Sequence, residues 1–182
     1  MKTMKRQQYS LSTRRKVFIW ISIGTLLLLL FAFIYFFTVY QTAMDTKQET
    51  FASSETRAIQ QTPLVKVTDT KRFNGEAAYD IVYGQTKENE PGYAFIPLQD
   101  DIEIIFTLEE EGLSENEMVS KWKADCADCD LMSVVPGIDK GRLLWEIIYK
   151  NNQGRIVYEY YLYSNGNLYE QFKFKTEEEE LK

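Results

Sequence analysis

The sequence predicts an α+β chain: one N-terminal transmembrane helix, then two tandem units, each a helix laid across a small antiparallel sheet. Three observations predict it. Val17 to Tyr40 reads VFIWISIGTLLLLLFAFIYFFTVY, 24 residues without a charge. After Pro63 the hydrophobic period shortens to two, the mark of half-buried strands. One strand is also written twice: AAYDIVY, Ala77 to Tyr83, returns as LLWEIIY, Leu143 to Tyr149, with aromatic, acid, two β-branched residues and tyrosine in register.

As a helix, Val17–Tyr40 would reach roughly 36 Å at about 1.5 Å per residue, enough for a hydrocarbon core of about 30 Å. The apolar region of a secretory signal is shorter, about 7–15 residues, and no small-residue cleavage site follows Tyr40, so an uncleaved anchor is expected. Six of the 21 basic residues (Lys2, Lys5, Arg6, Arg14, Arg15, Lys16) precede it, and all 27 acids follow it. The positive-inside rule then places the N-terminus in the cytoplasm and residues 41–182 outside. That outer part keeps 15 basic residues against 27 acids, a balance of −12. Such a charge disfavours nucleic acid and anionic lipid. It would tolerate a cationic partner, although solubility alone explains it as well.

The next elements follow from local pattern. Gln41 to Gln61 lacks Pro and Gly and carries Met44, Phe51, Ala58 and Ile59 at spacings that form one thin helical stripe. Strands are expected at Leu64–Thr68, Glu76–Tyr83, Gly92–Pro97 and Ile102–Phe106, with the polar loop QTKENEPG among them. Ser114 and Glu117 form an S-x-x-E capping box, so a helix starts there, with Met118, Val119, Trp122 and Cys126 on its apolar face. It should end by Cys129 or Asp130. Three further strands, Arg142–Lys150, Arg155–Tyr163 and Asn167–Lys175, make a meander. Asn165-Gly166 marks its second turn, where an Asn-Gly pair would place both central residues at positive φ. On the first of these strands Trp145, Ile147 and Tyr149 point one way, and Leu144, Glu146 and Ile148 the other. The repeated strand is read as the central strand of each unit, with Tyr79 or Trp145 packing under that unit's helix. The resulting organisation is a basic tail (1–16), the span (17–40), a juxtamembrane helix with the first unit (41–111), the second unit (112–175) and an acidic tail (176–182).

Little in this chain points to chemistry. Histidine, the commonest general base and metal ligand, is absent. There is no G-x-S-x-G and no phosphate-binding glycine loop. The acid runs Glu109–Glu111 and Glu177–Glu180 read as solvated faces. One motif could react: Cys126-Ala-Asp-Cys129. A thiol–disulfide site draws its low thiol pKa from a helix N-terminus, whereas Cys126 falls at the predicted C-terminal end. Two sulfurs are also too few for a structural zinc site. A local disulfide or two free thiols near a loop is the plainer reading. No catalytic, cofactor-binding or metal site is assigned.

At the level of motifs, LLWEIIYKNNQGRIVYEYYLYSNGNLYE resembles the terminal hairpin of the cell wall elongation regulator TseB-like (YpmB) family of Gram-positive bacteria. The earlier YDIVYG…GYAFIP stretch resembles that family's first unit. The resemblance extends over roughly residues 17–175. It implies PepSY-like or cystatin-like modules and no catalytic residues. It also implies a membrane-anchored regulator of peptidoglycan elongation that acts with an elongation-type penicillin-binding transpeptidase. The C-x-x-C is not part of that pattern. Two rivals remain open: an extracytoplasmic inhibitory or ligand-sensing PepSY-type module, and a membrane-tethered thiol oxidoreductase using Cys126 and Cys129.

Overall fold

The structure, a computed structural model, describes residues 11–99 and 101–174. The first ten residues of the basic tail, Lys175 at the end of the last expected strand, and the acidic tail lie outside the described residues. The chain forms two compact units, residues 1–49 and 50–182. In the first, helix α1 (Leu11–Gln61) carries Val17–Tyr40, whose side chains are almost all exposed. By length and composition this helix is a candidate single membrane span. Met44 is exposed as well, so it does not contribute to a buried stripe.

The second unit contains the last turns of α1 and two four-stranded antiparallel sheets, confirming the α+β class. Sheet A has the order β1 (Lys66–Asn74), β2 (Ala78–Gln85), β3 (Pro91–Pro97) and β4 (Ile105–Leu108). After one turn of 3-10 helix at Glu109–Glu111 comes α2 (Glu115–Asp125). Sheet B follows with β5 (Asp130–Asp139), β6 (Arg142–Lys150), β7 (Ile156–Leu162) and β8 (Leu168–Lys173). The capping box forms as its sequence requires: the Glu117 N–H donates to Ser114 Oγ, and the Ser114 N–H donates to the Glu117 carboxylate.

Both copies of the repeated strand, β2 and β6, are interior strands. Their faces are used differently. On β2, Val82 packs with Ala94 and Ile96 against Ala58 of α1, and Asp80 meets Ser54 of the same helix. Tyr79 and Ile81 point the other way, into a core shared with sheet B. The expectation that Tyr79 lies under the helix is therefore corrected: the acid lies there, because strand alternation puts neighbours on opposite faces. The stripe on this stretch of α1 is corrected too. Ser54 and Ala58 are buried, whereas Ile59 is exposed. On β6 the aromatic does face its helix: Tyr149 packs on Trp122 of α2 at 5.2 Å, and Trp145 Nε1 donates to the Leu113 carbonyl just before α2.

Strand β5 was not expected from sequence. Pro136 and Gly137 interrupt LMSVVPGID, and proline reads against a central strand. The strand is an edge of sheet B, where proline is tolerated. Gly137 is required by a close approach, since a Cβ there would run into the Phe73 ring of sheet A. The β5–β6 hairpin turns through Lys140 and Gly141, both at positive φ (48° and 75°), the signature of a type I′ turn. The Asn165-Gly166 turn does not share it, for only Gly166 has positive φ there. β1 also runs six residues past its expected end at Thr68, to Asn74, because Lys71 and Arg72 spend their charges on partners instead of water.

Candidate interaction surface

The two repeated acids occupy matching sequence positions but sit in unlike surroundings. Asp80 is fully buried. Ser54 Oγ donates to one carboxylate oxygen at 2.7 Å and Arg72 Nε to the other at 2.7 Å. The Arg72 guanidinium lies over the Phe51 ring, 5.5 Å from its centroid. Arg57 closes the same region by donating to the Pro97 carbonyl at 2.9 Å. This acid is a structural anchor between α1 and sheet A.

Glu146 is 8 % exposed and accepts the Tyr160 hydroxyl at 2.8 Å. It makes no ion pair among the described residues. Burial pushes its carboxyl above the ordinary value of 4.5, and the Tyr160 hydrogen bond only partly opposes that. The sign of the effect on stability is set by this direction. An acid with a raised folded-state pKa stabilises less as pH rises through the carboxylate range, because the unfolded chain releases its proton first. Glu146→Gln keeps an acceptor for Tyr160 and removes the charge. Its melting temperature is expected to exceed that of the wild type at pH 7, and the two should converge below pH 4.5. Parallel thermal melts at several pH values check this.

Phe73 of sheet A packs on the Gly137–Leu144 end of the face of sheet B that carries Glu146; beyond it no described helix covers this face, since α2 lies on the opposite one. Register places Ile148, Tyr158 and Phe172 in one row and Glu146, Tyr160 and Glu170 in the next. Tyr158 packs on Phe174 at 5.4 Å and Tyr160 on Phe172 at 6.0 Å, both edge to face. Ile156, Phe172 and Phe174 remain 40 %, 46 % and 59 % exposed. Together they form an exposed aromatic patch on the β7–β8 edge hairpin. At one end the face deepens into a cavity of about 160 Å³. Phe73, Leu144, Tyr160 and Phe172 line it together with the carboxylates of Glu76, Asp139 and Glu170. Sequence reading placed Glu146 on the right side of its strand but did not find this face. Alternation shows which residues share a side, not which side another element covers.

The cysteine motif is settled differently. Cys126 and Cys129 are bonded to each other, Cys126 caps the C-terminal end of α2, and Cys129 is buried. Trp122 and Tyr149 beside them belong to the core.

Residues 54–97 match the cell wall elongation regulator TseB-like domain, a stretch that runs from Ser54 on the last turns of α1 to Pro97 at the end of β3. Over this stretch the chain is similar to the TseB-like family. The "Probable cell wall elongation regulator TseB" of Bacillus subtilis (strain 168) is 24% identical over 131 residues, 72% of this chain and 81% of that protein. The solved YpmB protein from Bacillus subtilis superposes with a TM-score of 0.61 at 22% identity, covering 68% of this chain and 96% of that one, which shows a shared fold. The resemblance to the TseB-like (YpmB) family thus holds. The TseB-like domain match spans the last turns of α1 and strands β1 to β3, whereas the LLWEIIY hairpin that seemed the closest likeness lies outside it.

Proposed function

We propose that this TseB-like chain is a non-enzymatic, membrane-anchored regulator that governs peptidoglycan elongation by binding another envelope protein. The partner is an elongation-type penicillin-binding transpeptidase, as the resemblance implies. The N-terminus lies in the cytoplasm and residues 41–182 lie outside, following the charge bias around the span. The outer part works as two tandem PepSY-like units, 41–111 and 112–175, a division supported by the repeated strand at β2 and β6. The observation that carries a binding role is the open aromatic face of sheet B. It exposes Phe172 and Phe174 where a self-sufficient sheet would be covered. A photo-crosslinking residue replacing Phe174 should capture a transpeptidase in growing cells, while one replacing Glu88 in the β2–β3 loop should not. Equal capture from both positions, or from neither, contradicts the reading.

The thiol oxidoreductase is the rival to separate. Its chemistry needs both sulfurs, because the second thiol resolves the mixed disulfide formed by the first. Here the pair spans three residues of chain, a loop whose closure removes little chain entropy. Cys126→Ser with Cys129→Ser is expected to leave the protein folded, at a cost of no more than about 2 kcal/mol. It should also leave cell width and length unchanged in a strain complemented with the variant. Loss of complementation by folded, membrane-located double mutant would favour the rival.

A further inference from the structure

We propose that the Glu146 face of sheet B seats an amphipathic helix of the partner, with a lysine or arginine of that helix entering the cavity lined by Glu76 and Glu170. The inference rests on the reading of that face as the partner surface and names what it selects.

The helix is suggested by the chain's own repetition. On sheet A the matching face, marked by Asp80, is covered by the last turns of α1, with Ser54 on the acid and Ala58 among Val82, Ala94 and Ile96. On sheet B, among the described residues, no helix covers the face marked by Glu146, and sheet A reaches only its Leu144 end through Phe73. The row Ile148–Tyr158–Phe172 crosses three strands, roughly 10 Å at about 4.8 Å per strand, the diameter of one helix.

The cation follows from charge. Three carboxylates line the cavity and no Lys or Arg does. Asp139 is engaged by the Tyr169 hydroxyl at 3.3 Å and by Lys140 at 4.0 Å. Glu76 and Glu170 make no ion pair among the described residues. Tyr169 already carries the Arg142 guanidinium, 5.3 Å from its ring centroid, which leaves the Tyr160 and Phe172 rings to flank an incoming cation. At about 160 Å³ the cavity suits the end of one long side chain; pockets for free small molecules run about 300–1,000 Å³. A second copy of the chain is a poor occupant, because the outer part of each copy stands at −12.

The test uses the full chain in nanodiscs of zwitterionic lipid, with empty discs subtracted. The probes are three fluorescent peptides: an amphipathic helix with a central arginine, the same helix with a central glutamate, and an extended Val/Thr-rich strand former with a central arginine. The arginine helix should bind about tenfold tighter than either of the others. Glu76→Gln with Glu170→Gln should reduce its advantage over the glutamate helix to about twofold, while Glu88→Gln with Glu90→Gln, an equal charge change elsewhere, should leave it intact. Equal binding of the arginine and glutamate helices, or an equal loss in the control pair, overturns the cation. Tighter binding of the strand former overturns the helix. If either happens while Phe172→Ser still abolishes binding, the face remains a docking surface and only its selectivity is wrong. Binding unchanged by Phe172→Ser overturns this inference and the partner surface together.

Discussion

Trp145→Ala is expected to destabilise the outer unit by about 3–5 kcal/mol, the range for emptying a large buried aromatic site. Trp145 is fully buried, with Tyr93 edge-on at 5.8 Å and Tyr163 stacked at 6.0 Å. Tyr93 comes from sheet A and Tyr163 follows β7, so one ring joins both sheets to the approach to α2. Its Nε1 donates to the Leu113 carbonyl at 3.0 Å, and the Leu113 N–H in turn donates to the Tyr163 carbonyl. Trp145→Phe restores much of the volume but leaves that carbonyl unpaired, an effect of about 1–3 kcal/mol. Pulse proteolysis of the full-length protein in urea measures both. A loss under about 1 kcal/mol for Trp145→Ala, on the same scale, would mean that β6 is not the central strand of the core.

Asp80→Ala should cost a similar amount, about 3–5 kcal/mol, by a different mechanism. The fully buried carboxylate is the shared acceptor of Ser54 and Arg72, and its removal leaves a half-buried guanidinium without its anion. The double variant Asp80→Ala with Arg72→Ala should cost clearly less than the sum of the two single changes, since the pair acts as one unit. The same unfolding assay reads this cycle. Strict additivity would show that the pair is not coupled. At the matching position of the second sheet the expectation reverses: Glu146→Gln gains stability at pH 7, because that acid is buried without a cation.

Some of this was legible in the sequence because the relevant physics is local. The uncharged stretch at Val17–Tyr40, the Ser114–Glu117 capping box and the alternation along LLWEIIY each depend on residues close in the chain. What stayed hidden depends on distant partners. β5 reads poorly because Pro136 and Gly137 weaken it, and it becomes intelligible only as an edge strand pressed against Phe73. Lys71 and Arg72 look like solvent residues until the Val134 carbonyl and Asp80 are placed beside them. The type I′ turn was expected at Asn165-Gly166, the better dipeptide, and formed instead at Lys140-Gly141. The identical pattern of aromatic and acid in the two repeated strands could not reveal that one acid would be capped by α1 and the other left on an open face.

We propose that the protein acts through the exposed aromatic face of sheet B and not through chemistry. The most direct measurement is cell width and length in a strain lacking the native protein, complemented at matched expression by wild type, by Phe172→Ser with Phe174→Ser, and by a truncation lacking residues 41–182. Both exchanged side chains are about half exposed, so the double serine variant should remain folded and in the membrane. It is expected to fail as the truncation fails. A folded, membrane-located double serine variant that restores wild-type cell shape, while the truncation does not, would contradict the account.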